Sequence, residues 1–450
     1  MTAGCLSRRS FLGAAGISVA GGMSVGLRVL RGSEPPRVTN PRATDGDTLH
    51  EPDWTERLTV TVGPDKADLV GCSDRVIQAA VDYVSRFGGG TVQLLPGTFV
   101  LRNAVFLPSH LRLRGSGADT VITKIGSHTV ALAEDSDWYD QEITLAEAGD
   151  FQVGDGIVLR GTNPHDGGAT VIKRTLVAQS GNRFKLNDGL RENLWVSGKP
   201  TCASLFPLLT SEHTEDVVIE DLTLDGNRAQ NENLNGNYGG CIFLQDCNRY
   251  TIRRVEARNY NGDGISFQIC HDVVVEDCYS HGNAGLGVHP GSGSQRPRLI
   301  GNRFHRNDIG LFWCWGVKFG LAERNEIDAN LSYGISVGHN DTDNLMVDNT
   351  ITNSGRAGVL FRDEAGGRDF WGNRNCLERN RIVNSGPADG IAIDIQGRTK
   401  DLQLRDNELL EEREPAQRTG IRIAAEAGPI DLMNNRIVGF AVPIQDERSV

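Results

Sequence analysis

The chain has 450 residues, a formal net charge of −12 and 38 % hydrophobic residues, a composition typical of a folded globular protein. The acidic balance argues against a nucleic-acid partner, because nucleic-acid-binding proteins usually present a basic surface. Asparagine is unevenly distributed: 6 of the 30 asparagines fall in residues 1–216 and 24 fall in residues 217–440. Such a shift along a chain indicates an internal repeat in its second part.

The first residues predict export. Arg8 and Arg9 precede residues 11–27, which carry no charge and include five glycines, and this pattern resembles a twin-arginine (Tat) export signal. The uncharged stretch is shorter than the ~20 apolar residues that a membrane-spanning helix needs. We therefore expect a signal peptide at 1–32, a proline-containing linker at 33–56 and a periplasmic or extracellular protein. Membrane attachment would occur only through an uncleaved signal, and removing the signal leaves a body with net charge −16.

Two repeating patterns in the second part of the chain predict a parallel β-helix. A glycine followed by apolar, variable and apolar residues recurs at intervals of 21 to 32 residues, at Gly240, Gly264, Gly285, Gly310, Gly334, Gly358, Gly390 and Gly420. An asparagine column runs out of phase with it, at Asn302, Asn325, Asn349, Asn380, Asn407 and Asn435. Units of this length fit three short strands with turns, alternate apolar residues would point inward, and each asparagine amide would bond the turns above and below.

The rest of the chain fits the same plan with one interruption. Helical spacing of apolar residues at 76–84 predicts a helix that caps the open end of the core. We assign 57–117 to this cap and the first coils, and 209–440 to the repeats. Residues 118–208 break the repeat and are rich in β-forming residues, which predicts a β-rich insertion. Residues 441–450 are expected to form a C-terminal tail.

Short motifs near the start of this body carry a family resemblance. The helix sequence Ile77-Gln78-Ala79-Ala80-Val81-Asp82, the Gly-Gly-Gly-Thr-Val at 88–92, the Leu-Pro-Gly-Thr-Phe at 95–99 and the Leu-Arg-Leu-Arg-Gly-Ser-Gly at 111–117 resemble the pectate-lyase-like superfamily. The resemblance covers about residues 60–440. It implies an all-β fold, a right-handed single-stranded parallel β-helix with an N-terminal capping helix. It also implies a polysaccharide or oligosaccharide partner, bound in a groove along the outer face of one sheet.

Outward positions on the glycine-initiated strands and their following turns supply the candidate site. The candidate catalytic residues are His289, His339, Arg362, Asp363 and Glu364, and the candidate substrate-binding residues are Asp263, Gln268, Trp315, Lys318 and Asp394. An exposed tryptophan beside polar groups suits stacking on a sugar ring. Asp263 resembles the aspartate of the polygalacturonase Asn-x-Asp-Gly motif, although Asp-Gly is also an ordinary turn. We place the reaction centre between His289 and Glu364.

Three functions remain open, because this superfamily includes polysaccharide lyases, hydrolases, epimerases, tailspikes and non-catalytic proteins. A lyase or epimerase needs a base beside a uronate carboxylate, for which His289, His339, Lys318 or Arg362 would serve, and a group that neutralises the developing charge.

A glycoside hydrolase of the polygalacturonase type needs two carboxyl groups, which Asp363 or Glu364 could form with Asp394. The abundance of histidines and cations favours the lyase or epimerase, whereas the net charge of −16 disfavours an acidic polymer unless the groove is locally basic. The third possibility is a carbohydrate-binding surface protein without activity. Zinc-type spacing of cysteine and histidine is absent, and the one cofactor to consider is Ca²⁺ at Asp363 and Glu364.

Overall fold

The computed structural model describes residues 57–364, 366–367 and 369–448. The predicted signal peptide at 1–32 and the linker at 33–56 lie outside the described residues. Within the described part of the chain, none of the helices is both long enough and apolar enough to cross a membrane.

One α-helix is present among the described residues, at Asp74–Arg86, and it covers the end of the core as predicted. Its buried face consists of Ile77, Ala80, Val81 and Val84, at the spacing of one side of a helix. Short 3-10 turns occur at Gly117–Asp119, Val196–Gly198 and Arg228–Gln230.

Each coil of the β-helix contributes one strand to an eleven-stranded parallel sheet. Its strands are Val105–Phe106, Leu209–Glu212, Gly240–Gln245, Asp263–Gln268, Leu286–Gly291, Ile309–Phe312, Tyr333–Val337, Ala357–Phe361, Ile391–Ile395, Thr419–Ile423 and Val442–Asp446. The glycine-initiated pattern read from the sequence thus marks one sheet of the helix, and successive copies pair in parallel. The last of these strands lies in the predicted C-terminal tail. That prediction is therefore corrected, because the β-helix continues to Asp446.

The other faces of the coils form a 22-stranded sheet that bends around the core. Its strands are Thr59–Gly63, Leu69–Val70, Gly90–Leu94, Gly97–Leu101, Leu111–Arg114, Thr120–Lys124, Glu215–Asp225, Asn248–Arg258, Val274–Glu276, Tyr279–His281, Arg298–Ile300, Arg303–His305, Leu321–Glu323, Glu326–Asp328, Leu345–Val347, Thr350–Thr352, Cys376–Glu378, Arg381–Val383, Leu402–Arg405, Glu408–Leu410, Ile430–Met433 and Arg436–Val438. Most coils add two short strands to it, separated by one tight turn.

The core is a column of stacked aliphatic side chains. One inward position of each glycine-initiated strand is fully buried, and these residues pair in register from coil to coil: Ile242, Ile265, Val288, Leu311, Ile335, Val359, Ile393 and Ile421. Because each layer packs mainly on the layers above and below it, the core grows with the number of coils and needs no large aromatic cluster.

The predicted asparagine column forms a hydrogen-bonded ladder in the turn between the paired short strands. The backbone N–H of Asn302 donates to Oδ1 of Asn325 at 2.9 Å, and the same relation links Asn325 to Asn349 at 3.0 Å. It continues through Asn380, Asn407 and Asn435. Each side-chain amide nitrogen also donates to a backbone carbonyl of a neighbouring coil, so the buried polar groups of this turn are satisfied within the ladder.

The insertion is a separate six-stranded antiparallel sheet with its own apolar core. Its strands are Thr129–Ala131, Glu142–Thr144, Gly156–Thr162, Ala169–Ser180, Arg183–Leu186 and Thr201–Ala203. The insertion predicted at 118–208 therefore begins later, because Thr120–Lys124 pairs in parallel with coil strands. It also ends earlier, because Leu205 and Leu208 pack in the core of the β-helix.

A central rung of the ladder tests its contribution to stability. The side chain of Asn349 takes part in four hydrogen bonds of 2.8 to 3.0 Å. Replacing it with alanine leaves the N–H of Asn325 and the carbonyl of Ala322 buried without these partners. We expect Asn349→Ala to lower the free energy of unfolding by about 3 kcal/mol, measured by denaturant unfolding. The control is Asn237→Ala, at an exposed position; an equal effect of both variants would contradict the ladder's role.

A buried lysine makes stability depend on pH. Lys124 is 2 % exposed, its Nζ donates to the carbonyl of Phe206 at 2.8 Å, and it lies over the rings of Phe206 and Tyr260. Burial lowers the pKa of Lys124 to about 7. Between that pH and about 10 the unfolded chain binds more protons than the folded chain, so this lysine makes stability rise with pH in that window.

We expect Lys124→Met to be more stable than the wild type at pH 7, and the difference to shrink by up to about 1.4 kcal/mol per pH unit towards pH 10. Denaturant unfolding of both proteins across this pH range measures it. A difference that stays constant with pH would show that burial does not lower the pKa of Lys124.

Candidate functional site

The candidate residues lie on and beside the outer face of the eleven-stranded sheet. Strand pairing aligns Ser266 with His289, and Phe312 with Ser336 on later coils. Because side chains alternate along a strand, this row faces away from the aliphatic column described above. Adjacent coils are about 4.8 Å apart, so only residues within one or two coils can act together.

Asp263 and His289 form a buried pair on neighbouring coils. Nδ1 of His289 lies 2.9 Å from Oδ2 of Asp263, and the other carboxylate oxygen accepts the backbone N–H of Leu286 at 2.9 Å. The two residues are only 2 % and 4 % exposed. An Nδ1–H held by the carboxylate leaves Nε2 of His289 as the free, basic nitrogen, and this atom has no hydrogen-bond partner among the described residues.

A chain segment covers this pair. The carbonyl of Gly236 accepts the hydroxyl of Ser266 at 2.7 Å, and a Cβ built on Gly236 would lie 1.7 Å from Oδ2 of Asp263. Only glycine permits this approach of backbone to carboxylate. Gln268 completes the group, since its Nε2 donates to the Ser266 hydroxyl at 3.2 Å.

Arg362 is the centre of a second group, which we call the Arg362 cluster: Ser336, His339, Asp341, Arg362 and Glu364. The guanidinium donates from Nε to Glu364 at 2.6 Å, from Nη1 to Ser336 at 2.7 Å, and from Nη2 to the carbonyl of Trp313 at 3.0 Å and Nδ1 of His339 at 3.2 Å. Most of its five N–H groups are thus occupied by the protein. Arg362 positions its neighbours, and the prediction that it serves as a base is not favoured by this geometry.

His339 and Glu364 form the exposed edge of the Arg362 cluster. Nε2 of His339 lies 2.7 Å from Oε2 of Glu364, and the two side chains are 23 % and 18 % exposed. Because Nδ1 faces the Arg362 donor, the neutral imidazole carries its proton on Nε2 and donates it to Glu364. Burial lowers the pKa of His339 and Arg362 lowers it further, whereas Glu364 opposes both.

Asp341 supports this cluster from below, and the sequence interpretation did not include it. It is fully buried, accepts the backbone N–H groups of Val317 at 2.8 Å and Gly338 at 3.0 Å, and lies 3.8 Å from Nη2 of Arg362. Burial raises the pKa of Asp341 to about 7, and Arg362 opposes that rise. Its place in the turn three residues after Gly338 gave no sequence signal that separates it from an ordinary turn aspartate.

Aromatic side chains border the Arg362 cluster. Trp315 stacks on His339 with ring centroids 4.9 Å apart, and the edge of Phe370 meets both rings. Trp315 and His339 both have left-handed backbone conformations, with φ of 71° and 45°, in the turns that follow successive strands. Trp315 is 55 % exposed, as the predicted role in sugar stacking requires. Phe370 was missed; the 32-residue interval from Gly358 to Gly390 was its only signal, because it marks a longer loop.

Phe312 joins the two groups. Its ring meets His289 edge to face with centroids 5.3 Å apart, and the guanidinium carbon of Arg362 lies 4.3 Å from its ring centre. The structure therefore brings His289, Trp315, His339, Arg362 and Glu364 into one contact network on one face. Asp263 and Gln268 belong to the end of this network that includes His289.

Three predicted residues have their contacts outside this network. Asp363 accepts the indole N–H of Trp371 at 3.1 Å, away from Glu364 and its partners. Asp394 accepts hydrogen bonds from Nε and Nη2 of Arg422, at 2.8 and 3.0 Å. Lys318 follows the turn and pairs with Gln295 and Thr342 on the neighbouring coils. Its charge, together with the larger effect of Arg374, lowers the pKa of Asp343. Asp363, Glu364 and Asp394 thus each have a partner of their own, and their pairing as the two carboxyl groups of a hydrolase stays a prediction.

The same geometry bears on Ca²⁺. Asp363 and Glu364 do not converge, and Glu364 already faces a guanidinium, so they do not form the oxygen-rich cage that Ca²⁺ prefers. Two other groups in the described residues hold three potential metal ligands within 4.8 Å of one another, His110 with Glu215 and Asp216, and Glu212 with His213 and Asp246. Neither group includes a residue of the network on the sheet face.

Comparisons with known proteins agree with this architecture. Residues 219–367 match the family model described as a right handed beta helix region. The structure is similar to the mannuronan C-5 epimerase AlgE4 A-module of Azotobacter vinelandii, with a TM-score of 0.53 and 16 % identity over 84 % of this chain and 96 % of that chain. It is also similar to PfbA, a surface adhesin of Streptococcus pneumoniae, with a TM-score of 0.51 and 14 % identity over 82 % and 89 % of the two chains.

A third similar structure is the Dettilon tailspike protein, with a TM-score of 0.53 and 12 % identity over 86 % of this chain and 68 % of that chain. A comparison with curated protein sequences gives no significant match. The strand topology and these similarities define an all-β, right-handed parallel β-helix protein. This right-handed parallel β-helix is the fold that the repeats and the N-terminal motifs predict.

The contact between His339 and Glu364 can be tested by titration. Glu364→Gln removes the carboxylate that favours the imidazolium but leaves the burial and the charge of Arg362 in place. We therefore expect the pKa of His339 to fall further in this variant. The measurement is an NMR pH titration of protein with labelled histidines, in which the signals of His281, on the 22-stranded sheet, serve as an internal control. An unchanged or higher pKa would contradict the proposed contact.

Proposed function

We propose that the protein is exported and binds a polysaccharide along the outer face of the eleven-stranded sheet. We further propose that it acts there as a uronate lyase or epimerase. The observation that carries this proposal is the pair of histidine–carboxylate contacts on one face, His289 with Asp263 and His339 with Glu364. Similar structures that are a polysaccharide epimerase, an adhesin and a tailspike support a carbohydrate partner for this fold.

The spacing of the two pairs suits proton transfer at a sugar ring. His289 and His339 are two coils apart, a rise of about 9 to 10 Å, with Phe312 between them. A ring placed between the imidazoles and stacked against Trp315 would have one potential acid or base on each side. Removal of the proton next to a uronate carboxylate starts both reactions: a lyase then expels the 4-linked oxygen, and an epimerase returns a proton to the opposite face.

In this arrangement His289 is the base and Asp263 orients it. The His339–Glu364 pair, held by Arg362, is the proton donor after it has taken up one proton from solvent, and it stabilises the charge that develops. Because His289 is only 4 % exposed, its Nε2 becomes accessible when a covering group, the Phe312 ring or the segment around Gly236, moves aside.

A hydrolase is less well supported. It requires two carboxyl groups facing one glycosidic bond, and the acidic residues of this face are each tied to a separate partner. A carbohydrate-binding protein without activity is the second candidate, and the burial of His289 beside an exposed Trp315 is the observation that favours it.

The activity test separates these functions. Purified protein is incubated with uronate-containing and neutral polysaccharides. Elimination gives the ultraviolet absorbance of an unsaturated product, hydrolysis gives new reducing ends without that absorbance, and epimerisation in D₂O gives deuterium incorporation without cleavage. We expect elimination or deuterium incorporation on a uronate polymer, and a 10²- to 10⁴-fold loss of rate in His289→Gln and in Glu364→Gln.

The matched control is His281→Gln. His281 also faces a glutamate, with Nε2 2.9 Å from Oε1 of Glu256, but it lies on the 22-stranded sheet and should leave the rate unchanged. Cleavage without an unsaturated product would replace the proposal with the hydrolase. Binding without turnover of any polymer would replace it with the non-catalytic function.

A further inference from the structure

A cavity of about 540 Å³ lies between the insertion and the first coils of the β-helix. Its β-helix side includes the outward residues Phe106, Thr210, Glu212 and Gln245 of the eleven-stranded sheet. Its other side is the insertion strand Ala169–Ser180 together with residues 187–192. Thr210 is three coils before His289 in the same outward row, and Gln245 pairs with Gln268, so the cavity adjoins the His289 end of the network without including its residues.

A lysine that makes no ion pair among the described residues faces this cavity. Nζ of Lys173 lies 3.9 Å from the ring centre of Phe243, and the side chain has no ion pair or hydrogen bond within the described part of the chain. Burial lowers the pKa of Lys173 to about 8, and the charge of Glu212 at the rim of the cavity opposes that fall. A largely buried ammonium without a carboxylate costs stability, and such a charge is normally paired.

A second cation adds to this local charge. The guanidinium of Arg174 donates only to backbone carbonyls, those of Lys173, Gly189 and Leu190, and burial lowers its pKa. The acidic side chains near the cavity are more exposed: Asp188 and Glu212 have side-chain exposures of 58 % and 62 %. Positive charge therefore lies inside the cavity and negative charge at its rim.

We propose that this cavity is a second saccharide-binding site, which takes a carboxylate-bearing sugar residue with its acid group at Lys173. The sugar class rests on the proposed function, and the requirement for an anion rests on the cavity itself. Phe106, 48 % exposed, and Tyr238 offer aromatic surface for the apolar face of a sugar ring. The insertion thus supplies a binding site that the β-helix alone does not have.

Calorimetric titrations test the site with defined probes. The probes are purified oligosaccharides of mannuronate, guluronate, galacturonate and glucuronate, the same compounds with their carboxyl groups reduced to alcohols, and inorganic phosphate as a simple anion. We expect at least one acidic oligosaccharide to bind the wild type, and both its reduced form and phosphate to bind at least tenfold more weakly. Lys173→Met should weaken binding of the acidic oligosaccharide at least tenfold.

The control is Lys185→Met, also in the insertion, whose Nζ is exposed and pairs with Glu142 at 2.8 Å; its affinity should equal that of the wild type. Lys173→Met should unfold no more easily than the wild type, because it removes an unpaired buried charge. If it does unfold more easily, Lys173→Gln is used in its place. Equal affinity of the wild type and the Lys173 variant, preference for phosphate, or no binding of any acidic oligosaccharide would overturn the proposal.

The outcome is distinguishable from that of the proposed function. Turnover of a uronate polymer together with unchanged oligosaccharide affinity in the Lys173 variant refutes this site and leaves the lyase or epimerase standing. Binding that depends on Lys173, without turnover of any polymer, supports the site and refutes the catalytic function.

Discussion

The parallel pairing of successive coils is the constraint on which the rest of the structure depends. Each coil lies about 4.8 Å from the next, and the asparagine ladder holds the turns in register along much of the helix. A one-residue slip would turn the aliphatic column outward, so the ladder and the core reinforce the same register. The outer face has the same order, because outward side chains of consecutive coils are aligned in rows and regularly spaced along the axis of the β-helix.

This order explains which parts of the structure could be predicted from the sequence. The recurring glycines and asparagines gave the strands, the turn and the direction of stacking, because each repeat places equivalent residues in equivalent environments. The left-handed turns that hold Trp315 and His339 follow the same repeat, so their proximity was also predictable. The capping helix was predictable from its apolar spacing alone.

Other features depend on contacts that do not repeat. The sequence placed Asp363 and Glu364 side by side, but neighbouring residues in a loop point in different directions, towards Trp371 and towards His339. Gly236 reaches Asp263 from a segment between coils, and Lys173 reaches Phe243 from the insertion. Neither contact follows from periodicity, because each joins a repeat to a part of the chain outside it. The boundaries of the insertion were misplaced because Thr120–Lys124 and Leu205 belong to the β-helix, although both lie outside its repeating patterns.

The charges of the Arg362 cluster and those of the cavity beneath the insertion differ in how far they are balanced. The charge of Arg362 is balanced by Glu364 and by the nearby Asp341, so this guanidinium adds little net attraction for a distant acidic polymer. Lys173 and Arg174 make no ion pair within the described part of the chain, and they lie in the cavity beneath the insertion. For a chain of net charge −12, unbalanced positive charge is what allows an acidic ligand to approach. In the proposed function, the cations that would attract a uronate and the groups that would transfer its proton are therefore different residues, two or more coils apart, which requires a ligand long enough to span several coils.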